Sequence, residues 1–248
     1  LTDVTGVQTC ALPIYPAENH PISFKYVEKA MDRGAKLISV DPRYTRTSSK
    51  ADIYAQLRPG TDIAFIGGII NHALKNDLIH RDYVVNYTNA SFLIDEGFDY
   101  QDGLFSGYNA ETYSYDKGSW KYQTDAEGRP LRDPSLQDPR CVYQLLKAHY
   151  AEYTPELVCE ITGTAIQDFL AVTRTLCETA RPDKAATIMY AMGTTQHTYG
   201  TQNVRSYAML QLLLGNIGIA GGGINALRGE ANVQGSTEIG RASCRERV

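Results

Sequence analysis

The sequence predicts an α/β fold, built in layers from a mainly parallel sheet with flanking helices, and three observations support it. Helical and strand-like patterns alternate along the 248 residues. Two short apolar runs, 35–40 (AKLISV) and 184–192 (KAATIMYAM), have the length and β-branched content of buried strands. Polar residues follow each run, and parallel sheets place ligand-binding groups at these carboxyl ends of their strands.

Helical patterns flank the first predicted strand. Apolar residues recur at helical spacing in 21–33, and Gly34 follows as a C-terminal cap. After the turn 58–60, Thr61 is placed to cap a helix that runs to about Lys75. The apolar face of this helix consists of Ile63, Ile66, Ile70 and Leu74.

A Tyr- and Asp-rich segment, 82–140, interrupts the alternation and predicts a long irregular insertion of turns and short hairpins. Its aromatic content is too high for a disordered tail. Helical patterns and two loops follow it. The predicted helices are 141–153, a segment that opens at Thr154 with Pro155 in its first turn, 164–180 and 203–214, and the loops are the polar 193–197 and the glycine-rich 215–223.

Composition excludes several classes of protein. The chain has 24 Lys and Arg against 28 Asp and Glu, a net charge of −4, so it lacks the basic character of a sequence-independent nucleic-acid or anionic-membrane binder. Its 5 cysteines have neither zinc-ligand nor disulfide-framework spacing, and Cys141, Cys159 and Cys177 are predicted to be small core residues. The uncharged stretch 206–227 is too rich in glycine and amides for a membrane span.

The two ends of the chain, 1–15 and 238–248, differ from the rest. Neither shows helix or strand periodicity or the layout of a signal peptide. Both resemble translated sequencing-adapter read-through, which predicts that they are non-native; ordinary frayed termini are the alternative. We therefore expect 16–237 to be an internal segment of a larger subunit.

Polar residues at the predicted strand ends are candidates for nucleotide binding. Asp41 could accept hydrogen bonds from ribose hydroxyls, and Arg43 could meet a phosphate. Thr61 and Asp62 stand at a helix start, and an aspartate there suits guanine, whose N1–H and exocyclic amine are adjacent donors. Each motif alone has a structural alternative, because Asp-Pro often ends a strand and Thr-Asp often begins a helix.

A second set of candidates follows the later strand. Gly193, Gln196 and His197 would line the same crevice, although a lone histidine is more often structural. The run 221–226 fits GxGxxA but follows a helix, so the dinucleotide fingerprint fails and a nicotinamide-dependent dehydrogenase is disfavoured. A late arginine, Arg228, lies in a Leu-Arg-Gly turn. The residues alone do not define a reaction.

Five ordered motifs together resemble the molybdopterin oxidoreductase superfamily. They are AENHP (17–21), VDPRYTRT (40–47), LRPGTD (57–62), YAMGTTQHTYGTQN (190–203) and LLLGNIGIAGGGINALRGEANVQG (212–235). Within the superfamily, these motifs and the insertion are similar to the catalytic alpha subunit of respiratory, selenocysteine-type formate dehydrogenase. The resemblance implies that 16–227 is a domain that binds molybdopterin guanine dinucleotide and that 228–237 begins the next cofactor-binding domain.

The resemblance also implies an activity and a set of site residues. A molybdenum or tungsten ion held by two pyranopterin guanine dinucleotides would oxidise formate to carbon dioxide and pass electrons to iron–sulfur clusters. Arg228 matches the arginine that positions the formate carboxylate, for which a guanidinium provides charge and a fixed fork. The residues matched to cofactor binding are Glu18 and His20 at the first turn, Asp41, Arg43, Thr61 and Asp62 at the nucleotide end, Gly193, Gln196 and His197 at the pterin side, and Asn216 in the glycine loop.

Several parts of the family pattern are absent from this chain. The selenocysteine or cysteine that ligates the metal and the cysteines of a 4Fe-4S cluster lie upstream in the family, so we expect no metal ligand here and no activity from this segment alone. The resemblance implies an iron–sulfur beta subunit and a membrane cytochrome b gamma subunit as partners, in the periplasm, and no nucleic acid. A nitrate or polysulfide reductase of the same superfamily, or a noncatalytic nucleotide-binding module, remains the alternative.

Overall fold

A five-stranded sheet with surrounding helices organises the part of the chain that the computed structural model describes, residues 7–11, 16–101 and 103–227. The strands are β1 (Val7–Ala11), β2 (Lys36–Val40), β3 (Ile53–Ala55), β4 (Tyr100–Gln101), β5 (Leu104–Phe105), β6 (Tyr108–Asn109), β7 (Ser114–Tyr115), β8 (Ala185–Tyr190) and β9 (Gly223–Ala226). The helices are α1 (Pro16–Asn19), α2 (Pro21–Met31), α3 (Asp62–Lys75), α4 (Arg81–Tyr87), α5 (Val142–Tyr150), α6 (Pro155–Thr162), α7 (Ile166–Cys177), α8 (Met192–Thr195) and α9 (Gly200–Leu213). The predicted α/β class is confirmed.

The main sheet has the strand order β3-β2-β1-β8-β9, and every neighbouring pair is parallel. Its register pairs Ile38 with Ile53 on one side and Ile188 with Ile224 on the other. The predicted strands β2 and β8 lie inside the sheet, and most of their own residues are buried. Because all five strands run the same way, their carboxyl ends share one edge.

Strand β1 corrects the expectation that 1–15 contains no strand. Val7–Ala11 lies at the centre of the sheet and pairs with β2 on one side and β8 on the other. The sequence VQTCA has a weak strand pattern, but two parallel neighbours provide backbone partners along both of its edges, and such context overrides local propensity. The non-native origin of 1–15 and 238–248 stays a prediction.

Two edge strands were not predicted from the sequence. Strand β3 has only three residues, and β9 follows directly from the predicted glycine loop 215–223. Gly223, the first residue of β9, has φ = +107°, a value that favours glycine. Short strands at sheet edges carry little periodicity, so neither produced a signal of its own.

Helix α3 is the most deeply buried helix and packs against α5, α6, α7 and α9. Ile66, Ile70 and Leu74 are buried as predicted, while Ile63 is only half-buried and Phe65 and Ile69 join the core. Of the helices within the described ranges, none is long and apolar enough to cross a membrane.

The segment 82–140 contains the short hairpins that its composition predicts, β4 with β5 and β6 with β7. Its first residues, up to Tyr87, are nevertheless helical, since they belong to α4. This helix packs against α9. Trp120 holds the hairpins together: its ring lies 5.2 Å from Phe105 and 5.2 Å from Tyr115, centroid to centroid. The insertion is therefore a packed aromatic layer attached to the core.

The close approach of α3 to its neighbours yields a stability prediction at Gly68. A Cβ there would lie 2.7 Å from Cζ of Phe169 and 2.8 Å from Cγ2 of Val158, and both of these side chains are fully buried. We expect Gly68→Ala to lower the free energy of unfolding by about 1–3 kcal/mol through overpacking, which outweighs the gain of about 1 kcal/mol in helix propensity. The urea midpoint of the chain measures this change.

Gln167→Ala is the matched control, since it also creates an alanine in a helix but at an exposed position of α7. Its effect should stay within about 0.5 kcal/mol. A Gly68→Ala chain as stable as the wild type would show that α3 does not need the close contact.

Candidate functional site

The carboxyl edge of the sheet collects most of the polar residues singled out from the sequence. Asp41 follows β2, and Asp62 opens α3 after β3. Gly193, Gln196 and His197 follow β8. The parallel strand order brings these three connections to one side of the molecule, as the sequence predicts.

Asp41 is a buried carboxylate held in a tight turn. It is 2% exposed, and its Oδ1 accepts a hydrogen bond of 2.8 Å from the backbone N–H of Arg43. Burial raises the pKa of the Asp41 carboxyl above its usual range, and the backbone N–H and positive charge of Arg43 oppose that rise. The hydroxyl of Tyr54 donates to the Asp41 carbonyl at 3.0 Å. The turn thus presents an acid and an exposed arginine two residues apart.

Asp62 is buried at the start of α3, next to α9. It is 4% exposed, and its Oδ1 accepts a hydrogen bond of 3.3 Å from the hydroxyl of Tyr207, which lies on α9. Burial raises the pKa of Asp62; its own backbone N–H, the electrostatic attraction of His197 and the Tyr207 hydroxyl oppose the rise. The structure therefore brings Asp62 and His197, two of the predicted residues, into electrostatic contact.

Thr61 does not cap α3 in the predicted way. It occupies the position before the helix, but its hydroxyl donates to the Arg58 carbonyl at 2.7 Å and accepts no hydrogen bond from the first turn of α3. Thr hydroxyls readily satisfy a nearby carbonyl in a turn, and that local bond competes with the cap. Thr61 therefore fixes the turn that precedes Asp62.

The connection after β8 is a short helix, α8, rather than the predicted polar loop. A ring nitrogen of His197, Nε2, lies 2.9 Å from the Gly193 carbonyl oxygen, and the His197 ring stacks on Tyr199 at 5.9 Å. The Tyr199 hydroxyl donates to the Gly60 carbonyl. These contacts tie the connection after β8 to the turn before α3. Gln196, the residue after α8, is exposed, and its Nε2 lies 3.5 Å from Sδ of Met192.

Glu18 and His20 lie at the same edge, after β1. Glu18 is exposed in α1, with its carboxylate 3.9 Å from Nε of Arg46 in the connection after β2. The backbone N–H of Ala17 donates to the Thr47 hydroxyl at 3.2 Å. His20 precedes α2 at its N-cap position. Glu18 thus neighbours the connection that begins with Asp41.

Asn216 lies apart from the other candidates. It is fully buried, and its Oδ1 accepts a 3.0 Å hydrogen bond from the backbone N–H of Ala186, at the amino end of β8. Its Nδ2 donates to Thr179 Oγ1 at 3.0 Å and to Gln211 Oε1 at 2.9 Å. With these partners Asn216 joins β8, α9 and the end of α7, which is a structural role, and the structure does not bring it to the carboxyl edge.

Sequence reasoning missed three buried residues of this edge, Thr194, Asn203 and Tyr207. The Tyr207 hydroxyl lies 3.2 Å from Thr194 Oγ1, and Asn203 Nδ2 donates to the Thr194 carbonyl at 2.8 Å. Asn203 and Tyr207 are four residues apart on one helix and therefore share a face, which was a usable signal. Arg228, the predicted catalytic residue, lies outside the described residues.

The side chains that could bind a metal ion do not cluster within the described ranges. No group of three or more His, Cys, Asp or Glu side chains there is arranged to hold a metal ion. Cys141 and Cys177 are buried as predicted, Cys159 is half-buried, and burial raises the pKa of Cys177 to about 12. These thiols therefore serve packing, and the chemistry of the edge is that of acids, amides and hydroxyls.

Comparison with known proteins identifies relatives at two levels of similarity. The chain is 59% identical over 225 residues to the formate dehydrogenase subunit alpha of Megalodesulfovibrio gigas, with 91% of this chain and 22% of the relative covered. It is 53% identical over 228 residues to the nitrate-inducible formate dehydrogenase major subunit of Escherichia coli K12, with 92% and 22% covered. Among solved structures, acetylene hydratase from Pelobacter acetylenicus is 21% identical with a TM-score of 0.58, over 86% of this chain and 22% of that chain, and shares the fold.

The chain thus spans 22% of the length of these relatives. The model of the family described as Molybdopterin oxidoreductase matches residues 15–246, most of the chain. This chain belongs to the molybdopterin oxidoreductase family.

Proposed function

We propose that this chain is part of the catalytic alpha subunit of a formate dehydrogenase and binds the nucleotide end of a molybdopterin guanine dinucleotide. The family implies a molybdopterin cofactor with molybdenum or tungsten. Relatives that are 59%, 52% and 53% identical are named formate dehydrogenase alpha or major subunits, which favours formate over nitrate or polysulfide as the substrate.

The buried Asp62 carboxylate is the observation that carries this proposal. An ionised carboxylate is costly to bury, and the hydrogen-bond donors to Asp62, its own backbone N–H and the hydroxyl of Tyr207, are both neutral. Guanine offers an N1–H and an exocyclic amine side by side, and a carboxylate accepts both. A guanine at Asp62 would supply the hydrogen-bond donors that an ionised carboxylate needs. The residues present therefore fit the nucleotide end of the cofactor.

The neighbouring residues suit the rest of the same nucleotide. The carboxylate of Asp41 can accept hydrogen bonds from ribose hydroxyls, and the exposed guanidinium of Arg43 can pair with a phosphate. His197, Gln196 and the backbone at Gly193 would face the pterin side, with Glu18 and His20 at the turn after β1. We assign these described residues to the organic part of the cofactor.

The bound cofactor supplies the metal centre at which formate is oxidised to carbon dioxide, with release of one proton and two electrons. The contribution of this chain to substrate binding is assigned to Arg228. A guanidinium stays protonated and pairs with the formate carboxylate through two parallel hydrogen bonds, which orients the C–H bond. This assignment is supported by the resemblance of the NALRG motif.

We extend the proposal to the rest of the enzyme on the same resemblance. A selenocysteine or cysteine metal ligand and a 4Fe-4S cluster would come from other parts of the subunit. An iron–sulfur beta subunit and a membrane cytochrome b gamma subunit would accept the electrons in the periplasm. Co-purification of a tagged full-length subunit with a haem-b and an iron–sulfur protein tests this arrangement, and isolation of the subunit alone would speak against it.

Asp62→Asn in the full-length subunit tests guanine recognition. The amide offers one acceptor and one donor in place of two acceptors, so one donor of the base loses its partner. We expect the guanine nucleotide released by acid, per subunit, to fall by about tenfold or more, as expected for hydrogen bonds to a charged group. Asp168→Asn, at an exposed position in the first turn of α7, is the matched control and should keep the wild-type content. Full nucleotide content in Asp62→Asn would refute the assignment.

The same substitution should change the pH dependence of stability of the cofactor-free chain. Because the pKa of Asp62 is raised on folding, the folded chain holds more protons than the unfolded chain between the two pKa values. Stability conferred by the protonated acid is therefore lost as pH rises through that interval. We expect Asp62→Asn to make the free energy of unfolding fall less steeply as pH rises and to raise the urea midpoint at neutral pH. The expectation would be contradicted if stability changed with pH as steeply as in the wild type and the urea midpoint were lower.

Arg228→Ala and Arg228→Lys in the full-length enzyme test the substrate assignment. We expect the alanine variant to lose about 100-fold in kcat/KM for formate, because the formate carboxylate would then lack a partner for its charge. The lysine variant should recover only part of this kcat/KM, since an ammonium supplies the charge but not the fork. Cofactor content should not change. Arg181→Ala, at an exposed arginine paired with Asp183 at 3.0 Å, is the control. Normal formate turnover in Arg228→Ala would show that the assigned role is wrong.

A further inference from the structure

We infer that Tyr207 is a positioning residue that orients the Asp62 carboxylate toward the nucleotide and, through Thr194, couples that carboxylate to the connection after β8. The inference rests on the proposed function, because it assigns to Tyr207 a role in the site where Asp62 accepts the guanine donors. Tyr207 itself is too deeply buried to touch a ligand, at 0% exposed.

The hydroxyl of Tyr207 stands between two partners. It is 3.3 Å from Oδ1 of Asp62 and 3.2 Å from Oγ1 of Thr194. A phenol has one proton, and a carboxylate can only accept, so Tyr207 donates to Asp62 and accepts from Thr194. The order of donation, Thr194 to Tyr207 to Asp62, follows from the chemistry of the three groups.

One face of α9 carries Tyr207, the middle of this chain of hydrogen bonds, and Asn203, which holds Thr194 at one end. Asn203, one turn before Tyr207, donates from Nδ2 to the Thr194 carbonyl at 2.8 Å. The backbone N–H of Thr194 donates to the Ala191 carbonyl at 3.1 Å, so Thr194 is fixed through its backbone as well as its side chain. The Tyr207 ring also packs against Tyr190, the last residue of β8, at 5.8 Å. The position of the hydroxyl is therefore set by the core.

A purely structural role for Tyr207 does not explain its partner. The Thr194 hydroxyl alone could satisfy the phenol, and a neutral residue at position 62 would avoid burying a charge. In the arrangement observed, the hydrogen bond from Tyr207 to Oδ1, together with the bond from the backbone N–H of Asp62, restricts rotation of the carboxylate plane. A fixed plane is what bidentate acceptance from guanine requires.

Tyr207→Phe in the full-length formate dehydrogenase, alone and combined with Asp62→Asn, tests the inference. The rate at which guanine nucleotide is lost from the purified enzyme should rise about tenfold in Tyr207→Phe, the effect of one hydrogen bond to a charged group. In the Asp62→Asn background the Tyr207→Phe change should add almost nothing, because the carboxylate it orients is gone. Tyr150→Phe, which removes another buried hydroxyl from the same helical layer, should leave the rate unchanged.

A wild-type rate in Tyr207→Phe, an additive double variant or an equal effect of Tyr150→Phe would overturn the inference. If Tyr207→Phe does not fold, Thr194→Val and Thr194→Ser decide: faster loss in the valine variant alone supports it, and equal rates overturn it. Wild-type retention in Asp62→Asn would instead refute the proposed function. Loss in Asp62→Asn with no coupling to Tyr207 would remove only the positioning role.

Discussion

The packing of α3 against α9 is the contact on which the rest of the site depends. Asp62 is the first residue of α3, while Asn203 and Tyr207 lie on α9, so the distance between the two helices sets whether the connections after β3 and β8 meet. The glycines at 67 and 68 allow α3 to be enclosed by aromatic rings on its other sides. Apolar burial along α3 thus determines the geometry of a polar group at its end.

Buried polar groups at the two edges of the sheet serve different purposes. At the amino edge, the amide of Asn216 has a partner for its oxygen and two for its nitrogen, and it joins three elements of the core. At the carboxyl edge, Oδ1 of Asn203 is buried without a hydrogen-bond partner among the described residues. Burial of the Asp62 carboxyl at the same edge raises its pKa. The carboxyl edge thus holds buried polar atoms that could still form hydrogen bonds, as is expected where a ligand binds.

The sequence pattern captured the parts of the fold that carry strong periodicity. The strands β2 and β8 and the helices α3, α6 and α7 were predicted because apolar spacing, Thr154 as a cap and proline positions are local signals. Strand β1 was missed because its pairing depends on neighbours distant in sequence. For the site, Asp41 and His197 were predicted from their place after strands and Asp62 from its place at a helix start. Tyr207 was not predicted, because its role depends on the approach of α9 to α3.

The fold alone does not specify the reaction. A protein named acetylene hydratase shares this architecture at 21% identity, so the sheet and its surrounding helices are compatible with different chemistry. Under the proposed function, the buried acids at the carboxyl edge of the sheet would accept hydrogen bonds from the nucleotide end of the cofactor. Discrimination between substrates must then come from individual side chains rather than from the fold, and under the proposed function Arg228 would recognise formate and Asp62 would recognise guanine. In the proposed function, the carboxyl edge of the sheet would hold the nucleotide end of the cofactor, and Arg228, which follows β9 in the sequence, would bind the substrate.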